Sequence, residues 1–191
     1  MKVVIDTSSL LSLVRYYLPF DKQKILFETI KAKIADGEIV VIDKIIDECE
    51  YTSKGIVLKT LSFLKDKTFN KSHKLPLNTE FILPPAQVRF YRMVDNNFVV
   101  SIQKAKLNET QYDSLKNDFM NSADMKLILT SLNFKNDFPT EEVFLVTEET
   151  EVSNDNKLFK KIPAICFQLD IQTINIQQLI EKLEGVNIEI K

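Results

Sequence analysis

KVVIDTSSLLSLVRYYLPFD, residues 2–21, decides how the rest of the chain is read. Lys2 to Ile5 is a short run of mostly β-branched apolar residues, the pattern of a strand buried on both faces. A single carboxylate, Asp6, closes it. Thr7, Ser8 and Ser9 follow, and from Leu10 the chain is apolar again. Ser8 and Ser9 read as cap residues for a helix from Leu10 to about Tyr17, which Pro19 ends. An acid that closes a buried strand needs a partner, because burying an unpaired charge is costly.

Outward from this stretch, strand and helix patterns alternate. Asp21 reads as the next N-cap, for a helix carrying Ile25, Leu26, Ile30 and Ile34 at helical spacing, with Gly37 as its stop. Residues 38–42, EIVVI, read as a second buried strand, followed by a helix through Ile45, Ile46 and Cys49. Val57 to Leu64 reads as helix and Asn70 to Leu83 as loop. Pro84 and Pro85 open a helix to about Val94. Residues 97–102 fit either a strand or a continued helix. Glu109–Phe119 and Ala123–Leu132 read as helices, Val143–Val146 and Ile171–Ile174 as strands, and Gln177–Leu183 as a short helix. Val186–Ile190 reads as an edge strand.

Fully apolar strands separated by helices imply a mainly parallel sheet covered on both faces. The expected fold is therefore α/β, a three-layer α/β/α sandwich. Residues 1–191 are expected to form one domain, with 52–120 as a helical insertion or cap.

Bulk properties bound the remaining options. The chain is 45% hydrophobic, enough for a sizeable core, and has only 3 Gly and 6 Pro, too few for a low-complexity chain. Its 25 Lys+Arg against 27 Asp+Glu give a net charge of -2, which leaves nucleic-acid binding to a local patch. Cys49 and Cys166 lie far apart and read as core residues. Apolar runs are too short to span a bilayer, and no signal-peptide pattern opens the chain. These features predict a cytoplasmic protein with no membrane association.

Ligands of parallel α/β sheets sit at the carboxyl ends of the strands. Asp6 follows the first strand. Glu48, in DECE, lies in the helix after the second. Glu148 and Glu149 follow the third, in VFLVTEE, and Asp124 opens the helix of NSADMKLIL. Clustered carboxylates repel one another unless a positive charge joins them. An all-oxygen donor set suits Mg²⁺ or Mn²⁺, and such a site supports displacement at phosphorus. With one histidine, His73, and two cysteines, the chain is poor in the ligands zinc prefers. Each acid also has a plain reading: Asp124 as a helix-dipole partner, Glu48 as a solvated helix residue, Glu148 and Glu149 as loop residues.

Together, VVIDTSSLL, IIDEC, ADMKLILTSL and FLVTEE resemble the PIN-domain nuclease family. RYYLPFD and KKIPAICFQLDIQTINIQQLI place the resemblance in a poorly characterised branch related to bacterial toxin PIN ribonucleases. The resemblance covers about the first 50 residues and the last 70. It implies an α/β/α fold, one or two divalent cations, and cleavage of single-stranded RNA to a 5′-phosphate and a 3′-hydroxyl. Carried over by position, Asp6, Glu48, Asp124 and Glu149 are the metal-binding catalytic acids, with Asp47 and Glu50 as rivals to Glu48. Thr7 and Ser8 would support Asp6, Thr147 would be a supporting hydroxyl, and Glu148 a neighbour. The branch also admits an antitoxin protein and a homodimer as partners. EETEVSNDNKLF is longer and more acidic than in compact members, and Thr130 and Ser131 stand where a small alanine is common.

An RNA strand needs positive charge. Lys65, Lys67 and Lys71, with Phe63 and Phe69 between basic residues, and Arg89 and Arg92 beyond them, read either as a backbone-binding face or as a solvated surface over core phenylalanines. Lys157, Lys160 and Lys161 follow the fourth acid. A haloacid-dehalogenase-type phosphohydrolase would need an acid at position 8, where Ser8 stands. A receiver-like phosphoacceptor would need paired acids at the first strand. The remaining rival is a catalytically inactive PIN-like scaffold that binds RNA or protein.

Overall fold

The computed structural model describes residues 1–150, 157–183 and 185. Strand β1 (Lys2–Ile5) runs into helix α1 (Thr7–Ser12), which continues as a π-helical turn over Leu13–Tyr17 and a 3₁₀ turn over Leu18–Phe20. Then come α2 (Ile25–Ala35), β2 (Ile39–Val40), α3 (Asp43–Tyr51), α4 (Ile56–Thr60) and α5 (Lys67–His73). Helices α6 (Gln87–Met93), α7 (Ser101–Lys104), α8 (Glu109–Asn121) and α9 (Ala123–Asp137) precede β3 (Val143–Val146). The described chain closes with α10 (Ile162–Gln168), β4 (Gln172–Ile174) and α11 (Ile176–Lys182).

The four strands form one sheet in the order β2-β1-β3-β4. All pairings are parallel: Val3 sits opposite Ile39 on one side and Phe144 on the other, and Leu145 opposite Thr173. Successive strand residues point to opposite faces. All four residues of β3 and three of the four in β1 are buried, so helices cover both faces. This is the α/β/α sandwich expected from the apolar strand runs. From β1 the chain builds outward to β2 on one side and later to β3 and β4 on the other. The carboxyl ends of β1 and β3 therefore form the topological switch point, where such sheets open a crevice.

Several element boundaries differ from the sequence reading, each for a local reason. Helix α1 starts at Thr7, with Asp6 as its N-cap residue in extended conformation, so Ser8 and Ser9 are not caps but lie inside the first turn. Residue Asp21 is not the N-cap residue of α2, yet its Oδ2 accepts the Phe27 N–H at 2.8 Å and so caps the helix from a distance. Gly37 follows α2 at φ +67°, the left-handed conformation that a stop signal requires. Part of the expected loop at 70–83 is helical: Asp66 caps α5 through the Thr68 and Phe69 N–H groups, and Phe69 packs edge-on against Phe63.

Helix α10 lies between β3 and β4, where no helix was expected. Its Pro163 occupies the first turn, where a missing N–H costs nothing. Residues 94–98 form a π-helical turn and Val99 bridges Phe159, so both readings of 97–102 hold in part. The proposed edge strand at 186–190 lies outside the described residues, as does half of the acidic EETEVSNDNKLF segment, residues 151–156.

Residues 52–121 are helical apart from their connections and two isolated bridges. Val57, Leu61, Phe90, Val94 and Phe98 belong to the same apolar cluster as the strands, so this segment packs into the common core. Both cysteines are free and buried, and burial pushes each thiol up to about 12. Among the described residues no helix is long and apolar enough to cross a membrane.

Leu145 is fully buried at the centre of β3. Its replacement by alanine should cost about 2–5 kcal/mol of stability, read as a lower urea midpoint with an unchanged slope.

Candidate functional site

Parallel α/β architecture brings strand carboxyl ends and helix amino ends to the same rim of the sheet. Asp6 sits at that rim, after β1. Its backbone N–H still pairs with the Val146 carbonyl at 3.0 Å, while its side chain has left the sheet. Asp6 is only 7% exposed. Its Oδ2 accepts two hydroxyls, Ser8 Oγ at 2.6 Å and Thr147 Oγ1 at 3.1 Å. The expected support of Asp6 by Ser8 is present.

Thr7 behaves otherwise than expected. Its Oγ1 donates to Glu48 Oε2 at 2.7 Å, tying the middle of α3 to the start of α1. Glu48 is thereby drawn toward the crevice. Its rival Glu50 pairs instead with Lys65 at 3.1 Å, on an exposed surface.

Thr147, buried at the end of β3, does two jobs. It donates to Asp6 and accepts the Glu149 N–H at 3.2 Å, which fixes the turn carrying the fourth acid. Glu149 Oε2 accepts the Ile162 N–H at the start of α10, at 3.1 Å. Glu148 turns elsewhere. Its Oε1 accepts Ser9 Oγ at 3.1 Å and the Ile176 N–H at 2.8 Å, at the start of α11. Glu148 is thus a structural clamp between α1 and α11. Ser9 was read only as a cap; no signal in the sequence pointed to its partner, which lies 139 residues away.

Asp124 stands in the first turn of α9, which Ser122 caps through the Met125 N–H. Capping therefore does not require the Asp124 carboxylate. Its pKa is pushed up from 3.8 to about 6, first by burial and then by the charges of Asp6, Glu149 and Glu48. Lys157 opposes the shift. The fold thus brings together the four acids singled out in the sequence, close enough for three of them to perturb the fourth.

Their donor chemistry, all carboxylate oxygen, fits a hard divalent cation. Among the described residues, no group of three or more His, Cys, Asp and Glu side chains is already arranged to hold a metal ion. The donor set fits such an ion.

The five basic residues read as an RNA-binding face stand on other elements than the four acids. Lys65, Lys67 and Lys71 are exposed on α5 and the turn before it, and Arg89 and Arg92 are exposed on α6. Among the described residues no hydrogen bond or ion pair joins these five to the four acids. Phe63 is buried and Phe69 packs between Phe63 and His73, so these rings serve the core. A separate cavity of about 400 Å³, lined by residues including Tyr91, Met120, Lys126 and Leu129, includes none of the four acids.

Two measurements test this description. In chelator, Asp124 binds its proton more tightly folded than unfolded, so ionising it costs stability. Unfolding free energy should fall as pH rises from about 4 to about 6, and Asp124→Asn should flatten that fall and raise the melting temperature at neutral pH. Glu148→Ala should lower stability by about 1 kcal/mol through loss of the α11 contact while leaving divalent-cation affinity unchanged, read by thermal melting beside calorimetry.

Comparison with curated proteins gave no match. A family model, described as Domain of unknown function (DUF4411), matches residues 3–186, a span that contains all four acids. The chain belongs to the DUF4411 family.

Proposed function

We propose that the rim of β1 and β3 is the active centre of a divalent-metal-dependent ribonuclease that cuts single-stranded RNA. The observation that carries this reading is the convergence of Asp6, Glu48, Asp124 and Glu149, from four separated parts of the chain, at the topological switch point of a parallel sheet. The resemblance to PIN-domain nucleases supports it, because the same residues match that family's acids.

On this reading Asp6, Asp124 and Glu149 hold Mg²⁺ or Mn²⁺, with Glu48 beside them. A divalent cation bound there polarises a phosphodiester and lowers the pKa of a bound water. The chain's own residues set the geometry. Ser8 and Thr147 both take Oδ2 of Asp6 and fix that carboxylate against β3. Thr7 holds Glu48, the acid that would orient the attacking water. Asp124 would give up its proton as a cation arrives, so cation affinity should rise with pH through about 6. The water adds to phosphorus, the P–O3′ bond breaks, and the products are a 5′-phosphate and a 3′-hydroxyl. A toxin role under the control of a small antitoxin, and a homodimer, are the finer form of this reading, carried over from the resemblance.

A second reading has its own observation. Asp6, Glu48 and Glu149 already accept hydrogen bonds from the protein, as they would in a PIN-like scaffold that binds RNA or protein without cutting it. Calorimetric titration with Mn²⁺ and an RNA cleavage assay separate the two. Wild-type protein should bind Mn²⁺ and cleave. Asp6→Asn and Asp124→Asn should stay folded and lose cleavage to background. Full cleavage by Asp6→Asn would overturn the assignment, and a wild-type protein that binds RNA or protein but no cation would favour the scaffold.

A further inference from the structure

Tyr51 is the last residue of α3 and is 83% exposed. It lies three residues after Glu48, which is also exposed. Residues three apart on a helix are surface neighbours, with Cβ atoms about 5–6 Å apart. The ring of Tyr51 therefore stands on the solvent face beside the acid that reaches toward the crevice.

The backbone beyond Tyr51 is held by unusual means. Ser53 and Lys54 adopt positive φ of 51° and 59°, followed by Gly55 at 70°. At Gly55 a Cβ would come within 3.3 Å of the Glu50 carbonyl, so the chain folds back tightly under the end of α3. This turn puts Ser53 Oγ 2.6 Å from Nη2 of Arg15, an exposed residue of the π-helical turn after α1. Helix α3 and its exit are thus tied to the α1 run twice, by Thr7 to Glu48 at the acid end and by Arg15 to Ser53 about 12 Å further along, at ~1.5 Å per residue. Tyr51 lies in sequence between the two ties. Next to Arg15, Tyr16 and Phe20 are 64% and 78% exposed.

A large exposed ring contributes little to folding. An aromatic face beside acids, with a guanidinium beyond it, is the combination that single-stranded nucleic acids use: stacking for a base and positive charge for the backbone. We propose that Tyr51 is a base-stacking subsite for the nucleotide next to the one held at the acids, with Arg15 taking the following phosphate. This deepens the ribonuclease reading and rests on it. It also assigns the strand's path along α3 toward the π-helical turn, rather than over Phe63 and Phe69.

The test uses the full chain and a single-stranded RNA oligonucleotide, with Mn²⁺ present for cleavage and with Ca²⁺ in its place for binding. Tyr51→Ala should weaken binding about tenfold, the order of one lost stacked base, and raise KM more than it lowers kcat. Tyr51→Phe should restore both, and the melting temperature of either variant should match wild type. On an oligonucleotide in which one run of nucleotides is abasic, the Tyr51→Ala loss should vanish. Arg15→Gln should reduce the salt dependence of binding by about one phosphate contact. Unchanged affinity and KM in Tyr51→Ala, with wild-type cleavage intact, would overturn the stacking subsite and leave the ribonuclease reading standing. An equal loss on the abasic strand would also overturn it. A wild-type protein that neither binds nor cuts RNA would overturn both.

Discussion

The site depends on one turn of helix. Because α1 begins immediately after Asp6, the hydroxyls of Thr7, Ser8 and Ser9 leave the helix in three directions and reach three different acids: Glu48, Asp6 and Glu148. Ser8 does both jobs of a hydroxyl: it donates to Asp6 and accepts the Glu148 N–H at 3.1 Å. The acids also sit at the positive ends of helices: Glu149 against the first N–H of α10, Glu148 against the first N–H of α11, and Asp124 within the first turn of α9. A parallel sheet makes this possible, because every crossover sends strand ends and helix starts to the same rim.

Much of this was legible in the sequence. The apolar runs at 2–5, 39–42 and 143–146 could only be strands covered on both faces, and acids just beyond them could only lie at one rim of a parallel sheet. That rule pointed to Asp6, Glu48 and Glu149, and the resemblance added Asp124 at a helix start. Neither fixed their partners. Whether Thr7 serves Asp6 or Glu48 depends on the rotation of α1 about its axis, which a difference of three residues in the helix start changes. Glu148 and Glu149 are identical and adjacent, and only the direction of the turn after Thr147 gives one to α11 and the other to α10. Helix α10 was missed because Pro163 in a short apolar segment resembles a break more than a first turn.

The middle of the chain yielded least, for a related reason. Residues 52–121 contain short helices whose apolar residues contribute to a core shared with the sheet, so no boundary in composition marks them off. Lysines alternating with phenylalanines at 63–71 looked equally like a stacking surface and an amphipathic face. Phe63 packs in the core, and Lys31 lies over both Phe63 and Phe69. Exposed aromatic rings stand at the ends of elements, as Tyr51 does at the end of α3. Tyr16 and Phe20, unremarkable as sequence beyond their clustering, are exposed, whereas burial, and after it the charges of Glu148 and Glu181, raise the Tyr17 pKa.

Asp124 carries the argument about charge furthest. Burial first, and then the charges of Asp6, Glu149 and Glu48, raise the Asp124 pKa to about 6, against the opposing charge of Lys157. Carboxylates crowded at one rim would repel an RNA phosphate unless positive charge lies between them. A nuclease and an RNA-binding scaffold built on this rim share that difficulty. Either needs a further positive charge between acids and phosphate, and only a scaffold for a basic protein surface escapes the need. A divalent ion meets the requirement in the smallest volume, and the all-oxygen donor set selects a hard one. Burial and the neighbouring acids raise the Asp124 pKa, and an ion bound among these carboxylates would favour release of that proton.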